Sequence, residues 1–211
     1  MAPVPDSWTP NGETLFFQAG DEGGAGPNRP KPGAHATRWT FSLADRKTAP
    51  FDAVSSVTTI APFAATVSPD GRWVAYAAGT DTTRAAMQTW VQSIQSPGTR
   101  YLIASGVVDP IWSPDGKELF FLNFVSVGGF STHITTQPRF EVGNPTALPP
   151  MLSDVFRRSR SGPGTPRNID IAPDGQHFVA AVRRDVAPVG ASQVQVVLNW
   201  FEELRARVPS K

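Results

Sequence analysis

Short apolar runs separated by polar turns rich in glycine and proline dominate the chain, and almost none of it carries the three-to-four-residue spacing of an amphipathic helix. The clearest runs are Leu15-Phe16-Phe17, Trp73-Val74-Ala75-Tyr76, Leu119-Phe120-Phe121-Leu122 and Phe178-Val179-Ala180-Ala181. Each is too short for a helix and rich in aromatic or β-branched residues, which predicts strands buried on both faces. Each follows a turn tetrapeptide: Thr9-Pro10-Asn11-Gly12, Ser68-Pro69-Asp70-Gly71, Ser113-Pro114-Asp115-Gly116 and Ala172-Pro173-Asp174-Gly175. Proline presets φ at the second position, Asn or Asp tolerates the third and bonds nearby backbone, and Gly supplies positive φ. The unit is strand, turn, strand.

The four turn glycines stand 59, 45 and 59 residues apart. Apolar segments precede the turns at 63–67, 107–112 and 168–171, third strands are expected at 38–43, 88–94, 133–136 and 193–198, and weaker fourth strands at 57–60 and 100–104. Four strands in about 45 residues is the size of one propeller blade. The expected fold is therefore all-β: a single β-propeller region over residues 1–211, with about four four-stranded blades near 4–60, 61–105, 106–152 and 167–204. The longer periods place inserted loops at 20–33 and 157–166, both rich in Gly and Pro. Only 201–208, where Glu202 and Glu203 precede Arg205 and Arg207, reads as a short helix.

These turns resemble the WD40-like repeats of TolB-type β-propellers, whose hallmark is a Ser-Pro-Asp-Gly turn leading into a strand. Residues 68–76 and 112–122 match closely, and the likeness extends from about 7 to 203. A narrower resemblance, carried by 68–76, 112–121, 172–178 and Val197-Leu198-Asn199-Trp200-Phe201-Glu202-Glu203-Leu204, is to the C-terminal propeller region of bacterial eukaryotic-like serine/threonine protein kinases. It implies a sensor or interaction module, extracytoplasmic if the likeness holds. It does not imply kinase activity in this chain, which has no Gly-rich loop before a Val-Ala-Ile-Lys strand, no His-Arg-Asp loop and no Asp-Phe-Gly. TolB-type propellers commonly have six or more blades, so four repeats predict an open or partial propeller, with a closed four-bladed ring as the alternative. Residues 1–5 are short for a closing outer strand. Open blade edges would invite self-association.

Composition narrows the function classes. With 18% charged and 40% hydrophobic residues the chain folds despite its 21 Pro and 18 Gly. A net charge of +1 makes no broad positive field for nucleic acid or an anionic membrane. There is no run of about 18 apolar residues and no basic-then-apolar leader at the N-terminus, so neither membrane insertion nor a signal peptide is read here. The absence of Cys excludes disulfides and Cys-based zinc sites and leaves the compartment open.

No catalytic, cofactor or metal site is assigned. His35, His133 and His177 are scattered, without the converging cluster that metal ligation needs. Gly-x-Ser-x-Gly is absent, and no triad follows from dispersed residues. The segment Phe156-Arg157-Arg158-Ser159-Arg160-Ser161-Gly162 is the densest positive patch; arginine forks there could grip phosphate, but a solvated loop explains them better. The glycine-rich stretch 20–33 lacks the strand-to-helix frame and Lys-Ser/Thr ending of a phosphate loop. Asp70, Asp115 and Asp174 suggest a calcium ring only superficially, because turn aspartates bond their own backbone. The six Trp are expected in blade cores, with Trp8 and Trp112 repeating in register just before their turns. The function read from this is non-catalytic protein or peptide binding, with the propeller cap of a prolyl-oligopeptidase-like peptidase and a periplasmic small-molecule or carbohydrate-binding propeller as alternatives. The ligand-binding residues are left unassigned.

Overall fold

The computed structural model describes residues 3–19, 37–51, 60–79, 86–96, 98–123, 125–126, 128–158 and 167–181. Four antiparallel sheets follow one another along the chain. The first contains β1 (Val4–Trp8), β2 (Thr14–Ala19), β3 (Thr37–Ser42) and β4 (Lys47–Phe51) in sequential order. The second repeats it with β5 (Ile60–Val67), β6 (Trp73–Gly79), β7 (Met87–Ser93) and β8 (Arg100–Ser105). The third has β9 (Val107–Trp112), β10 (Glu118–Asn123) and β11 (Gly128–Thr135), with β12 (Glu141–Val142) and β13 (Thr146–Ala147) both pairing β11. The fourth shows β14 (Ile169–Ile171) and β15 (Phe178–Ala180). The third strand expected at 193–198 and the helix at 201–208 lie outside the described residues, as does the glycine-rich stretch from 20.

The turn chemistry is the same in the first three sheets. Ser68 Oγ donates to Asp70 Oδ1 at 2.5 Å and accepts the Trp73 N–H at 3.0 Å, while Asp70 Oδ1 also accepts the Arg72 N–H at 3.0 Å. Ser113 and Asp115 repeat this with Lys117 and Glu118, and Thr9 and Asn11 with Glu13 and Thr14. In the fourth turn Ala172 has no hydroxyl, and the His177 ring takes its place, with Nδ1 2.6 Å from Asp174 Oδ2. All four turn glycines have φ between 69° and 71°. The turns also nest: a β-carbon built on Gly71, Gly116 or Gly175 would stand 3.5 to 3.6 Å from Cδ of Pro10, Pro69 or Pro114, the proline of the preceding turn.

Because the turns are alike, positions counted from them are equivalent. The residue before each turn (Trp8, Val67, Trp112, Ile171) and those three and five after its glycine (Leu15 and Phe17, Val74 and Tyr76, Leu119 and Phe121, Phe178 and Ala180) face the preceding sheet. The residue four after the glycine (Phe16, Ala75, Phe120, Val179) faces the following one. Thus Phe16 and Phe51 pack on Val67, Val74 and Tyr76 in the first seam. Ala75, Val91 and Ile103 pack on Trp112, Leu119 and Phe121 in the second. Phe120 meets Phe178 edge-on, ring centroids 5.1 Å apart, in the third.

Several expectations are corrected. The fourth strand of the first sheet is Lys47–Phe51, not 57–60; a four-residue turn, 43–46, closes it with Arg46 at φ 51° and Asp45 N–H on Ser42 Oγ, and it lacks the glycine that would announce a hairpin. Val4 and Pro5 are spent on the inner strand of their own sheet, pairing Gln18 and Phe17. Trp8 shares the register of Trp112 but not its burial: Trp112 is 4% exposed and Trp8 48%, because no sheet among the described residues covers the first sheet's preceding face. For the same reason Leu15 and Phe17 are only half-buried.

The largest departure is a helix, α1 (Pro150–Arg158), which contains the beginning of the segment expected as a loop from 157. Pro150 at its first position carries the fixed φ that suits a helix start, and the Ser153 N–H bonds the Pro149 carbonyl. Leu152, Val155 and Phe156 share one face and pack on the third sheet. Gly129 of β11 admits it: a β-carbon there would lie 3.0 Å from Leu148 Cδ1 and 3.4 Å from Ser153 Cα. Gly129→Val should therefore lower stability by about 1–3 kcal/mol through overpacking. Gly116→Val should cost more than about 1 kcal/mol through its φ alone, since the space beside it is open to ordinary contact. Thermal denaturation checks both; an unchanged melting temperature in either variant contradicts the corresponding account.

Candidate functional site

Polar chemistry concentrates in two places. The first is sealed inside the seam between the first and second sheets. Arg38, on β3, is 1% exposed; its Nη2 lies 3.3 Å from Asp6 Oδ2, and Gln18 Nε2 donates to Asp6 Oδ1 at 2.7 Å. The Arg38 guanidinium carbon stands 5.1 Å from the centre of the Tyr76 ring, and the Tyr76 hydroxyl donates to Gln92 Oε1 at 3.0 Å. Burial raises the Asp6 carboxyl above its usual range, with the Arg38 charge opposing it, and pushes the Tyr76 hydroxyl up to about 12. Arg38 Nε and Nη1 have no hydrogen-bond partner among the described residues. The equivalent residue of the second sheet is Thr89, whose hydroxyl donates to the Val107 carbonyl of the third at 3.0 Å. Both side chains tie one sheet to the next, and this cluster reads as a seam.

The second concentration is open. A cleft of about 430 Å³ lies between the turns of the second and third sheets. Its floor is Pro69 against Gly116; Ser68, Asp70 and Trp73 form one wall, Trp112, Asp115 and Lys117 the other, and residues 133–137 the rim. Trp73 belongs to a cluster with Tyr101 and Phe140: the last two stack at 4.2 Å between centroids, and Phe140 lies 4.9 Å from Trp73. The serine hydroxyls and one oxygen of each aspartate are committed to the turns. His133, on the rim, is more than half exposed, and its Nδ1 lies 3.2 Å from Glu118 Oε1. Two donors stand out. The indole N–H groups of Trp73 and Trp112 are both buried without an acceptor among the described residues. An unmet buried donor costs about 1–3 kcal/mol, so a ligand acceptor that reached either N–H, both of which are closed to solvent in this structure, would recover that cost.

The structure brings together Asp70, Asp115 and His133 among the residues singled out from sequence, together with Trp112. His177 and Asp174 pair with each other on the fourth turn, outside the cleft, and His35 lies outside the described residues. Among the described residues no three His, Asp or Glu side chains converge on a possible ion. Arg157 and Arg158 both bind Asp154 within α1, while 159–162 fall outside the described residues. Trp73 was missed as a cleft residue, and Phe140 as the ring packed against it. Trp73 directly follows its turn and has no counterpart of its type in the other repeats, and Phe140 stands in a connection without any pattern.

No family model matches this sequence, and no curated protein matches it. Solved structures do. A protein described as a TolB from Agrobacterium tumefaciens is 17% identical, with 87% of this chain covering 58% of that one at a TM-score of 0.56. TolB from Acinetobacter baumannii is also 17% identical, over 69% of this chain and 32% of that one at 0.47. The β-propeller domain of the Trilobed protease from Pyrococcus furiosus is 14% identical, over 70% and 42% at 0.48. The first likeness carries the fold: the chain is an all-β, TolB-like propeller arc, and it spans less than two thirds of that neighbour's length. No helix among the described residues is long and apolar enough to cross a membrane.

The turn carboxylates make stability pH-dependent. Asp115 is held below the usual carboxylate range, first by the Ser113 hydroxyl and then by the Lys117 N–H; Asp174 is lowered by the Gln176 N–H and the His177 ring. A carboxylate lowered on folding stabilises the protein above its unfolded pKa and loses that contribution as pH falls through the folded value. Melting temperature should thus drop on acidification below about pH 4. Asp115→Asn, which copies Asn11 of the first turn, should keep the fold and flatten that acid limb. Parallel acid limbs for the variant and the parent would contradict the assignment.

Proposed function

We propose that this chain is a non-catalytic binding module for a protein or peptide segment, the sensor or interaction part of a larger kinase-linked protein, and that the cleft between the second and third sheets receives its ligand. The observation that carries the reading is the open cleft walled by Trp73 and Trp112, whose indole N–H groups are closed to solvent and have no acceptor among the described residues. Peptide backbone is dense in carbonyl acceptors, and the adjoining aromatic cluster of Trp73, Tyr101 and Phe140 offers apolar area to a side chain. Ser68, which lines the cleft, and Ser113 of the neighbouring turn donate to carboxylates and accept backbone N–H, which is a structural task. The kinase link rests on the resemblance of the turn segments and of residues 197–204.

Selection of a phage-displayed random dodecapeptide library against the purified chain tests this. Selected peptides should lose at least about fivefold in affinity to Trp112→Phe or Trp73→Phe, which remove an N–H and keep an aromatic ring, one hydrogen bond being worth about 1 kcal/mol. Exposed Leu102→Ala should leave affinity unchanged. Binding indifferent to both tryptophans would remove the cleft from the proposal, and turnover abolished by cleft substitutions would remove its non-catalytic character.

A further inference from the structure

The preceding-facing surface of the first sheet has no cover among the described residues, although it is built like the two that do. Trp8, Leu15, Phe17 and Trp39 occupy the positions of Val67, Val74, Tyr76 and Trp90 in the second sheet and of Trp112, Leu119, Phe121 and Phe130 in the third. Leu43 extends the same face: its N–H bonds the Glu13 carbonyl as those of Ile94 and Ile134 bond Arg72 and Lys117. Ile134 is 2% exposed, whereas Leu43 is 55% exposed and Trp8 48%. At the far end of the arc the opposite kind of face is open. Val179, 67% exposed, stands where Phe16, Ala75 and Phe120 stand in the sheets before it.

Each internal seam pairs those two faces through the same contact: Phe16 with Val74, Ala75 with Leu119, Phe120 with Phe178. We propose that two copies of this chain join head to tail, the first sheet of one covering the fourth sheet of the other, with Val179 of one copy against Leu15 of its partner copy as the next member of that series. The occupant is set by continuity with the internal seams, which only a sheet of this repeat type reproduces. A head-to-tail contact made twice around a two-fold axis closes a ring.

The chain has no cysteine, so single thiols report the contact cleanly. Leu15→Cys and Val179→Cys proteins, prepared separately, mixed and treated with a bis-maleimide spanning about 8–10 Å, the spacing of packed sheets, should yield a mixed dimer. Neither variant alone should cross-link efficiently. Light scattering of the unmodified chain should give twice 22.7 kDa, and Trp8→Asp with Leu43→Asp, both on an exposed surface, should raise the dimer dissociation constant at least roughly tenfold. A monomer at about 100 μM, where weak complexes still assemble, cross-linking of Leu15→Cys to itself, or a doubly substituted chain that closes within one molecule would each overturn the proposal.

Discussion

A single side-chain oxygen in each of the first three turns, shared between a hydroxyl and a backbone N–H, sets the geometry on which the other contacts depend. Asp70 and Asp115 hold a serine hydroxyl and the amide two residues on with the same atom, and that serine in turn holds the first amide of the departing strand. The angle between first and second strand is thereby fixed, and with it the parity of every residue counted from the glycine. Parity decides which face of the pleat a side chain occupies. Sheets whose turns are identical therefore present identical faces, and stacking them needs no further instruction. The nesting of each proline on the next turn's glycine is the visible consequence.

Within that common frame, one position takes three chemistries. Arg38, Thr89 and Gly129 are equivalent on the third strand of successive sheets, each paired to the residue six after the turn glycine. Arg38 crosses its seam by laying its guanidinium over the Tyr76 ring while its buried ion pair with Asp6 stays within the first sheet, Thr89 crosses with a hydroxyl bonded to backbone, and Gly129 has no side chain at all, which lets α1 lie directly on the sheet. An ion pair buried this deeply adds little net stability. Burial raises the Asp6 carboxyl despite the arginine beside it, so desolvation consumes much of the attraction, while losing either partner would strand a buried charge. The pair ties the first strand of the first sheet to its third, and only the guanidinium face over Tyr76 reaches the next sheet.

How much of this was legible in the sequence depended on how local the cause was. The turns, the second strands and the start of the first strands follow from four residues and a short apolar run, and they stand where those residues placed them. The outer strand Lys47–Phe51 was invisible because its hairpin uses Ala44, Asp45 and Arg46 in place of glycine. β11 begins at Gly128, five residues before the strand expected from 133, because its two glycines read as loop while serving to admit the helix. The helix itself hid behind two prolines and an arginine run, although Leu152, Val155 and Phe156 carry its spacing. The cleft was half legible: Asp70, Asp115, His133 and Trp112 were singled out one by one, but only the packing of sheet on sheet gathers them, and Trp73 with Phe140 follows no repeat.

The chemistry left to the cleft follows from what the turns use. Their hydroxyls and one carboxylate oxygen each are already engaged, so a ligand meets an end surface whose strongest polar groups are spoken for. What stays unsatisfied is the indole N–H on either side. Both are donors, and the exposed Lys117 between the turn and the rim is a third. On the proposed reading a ligand would meet donors there beside Trp73, whose ring is held in place by Tyr101 and Phe140. Because both tryptophans lie in the second seam, the donors are only as well positioned as the packing of the second sheet on the third. On the proposed reading, recognition at this end of the sheets depends on the seam, and anything that loosens one turn moves a wall of the cleft.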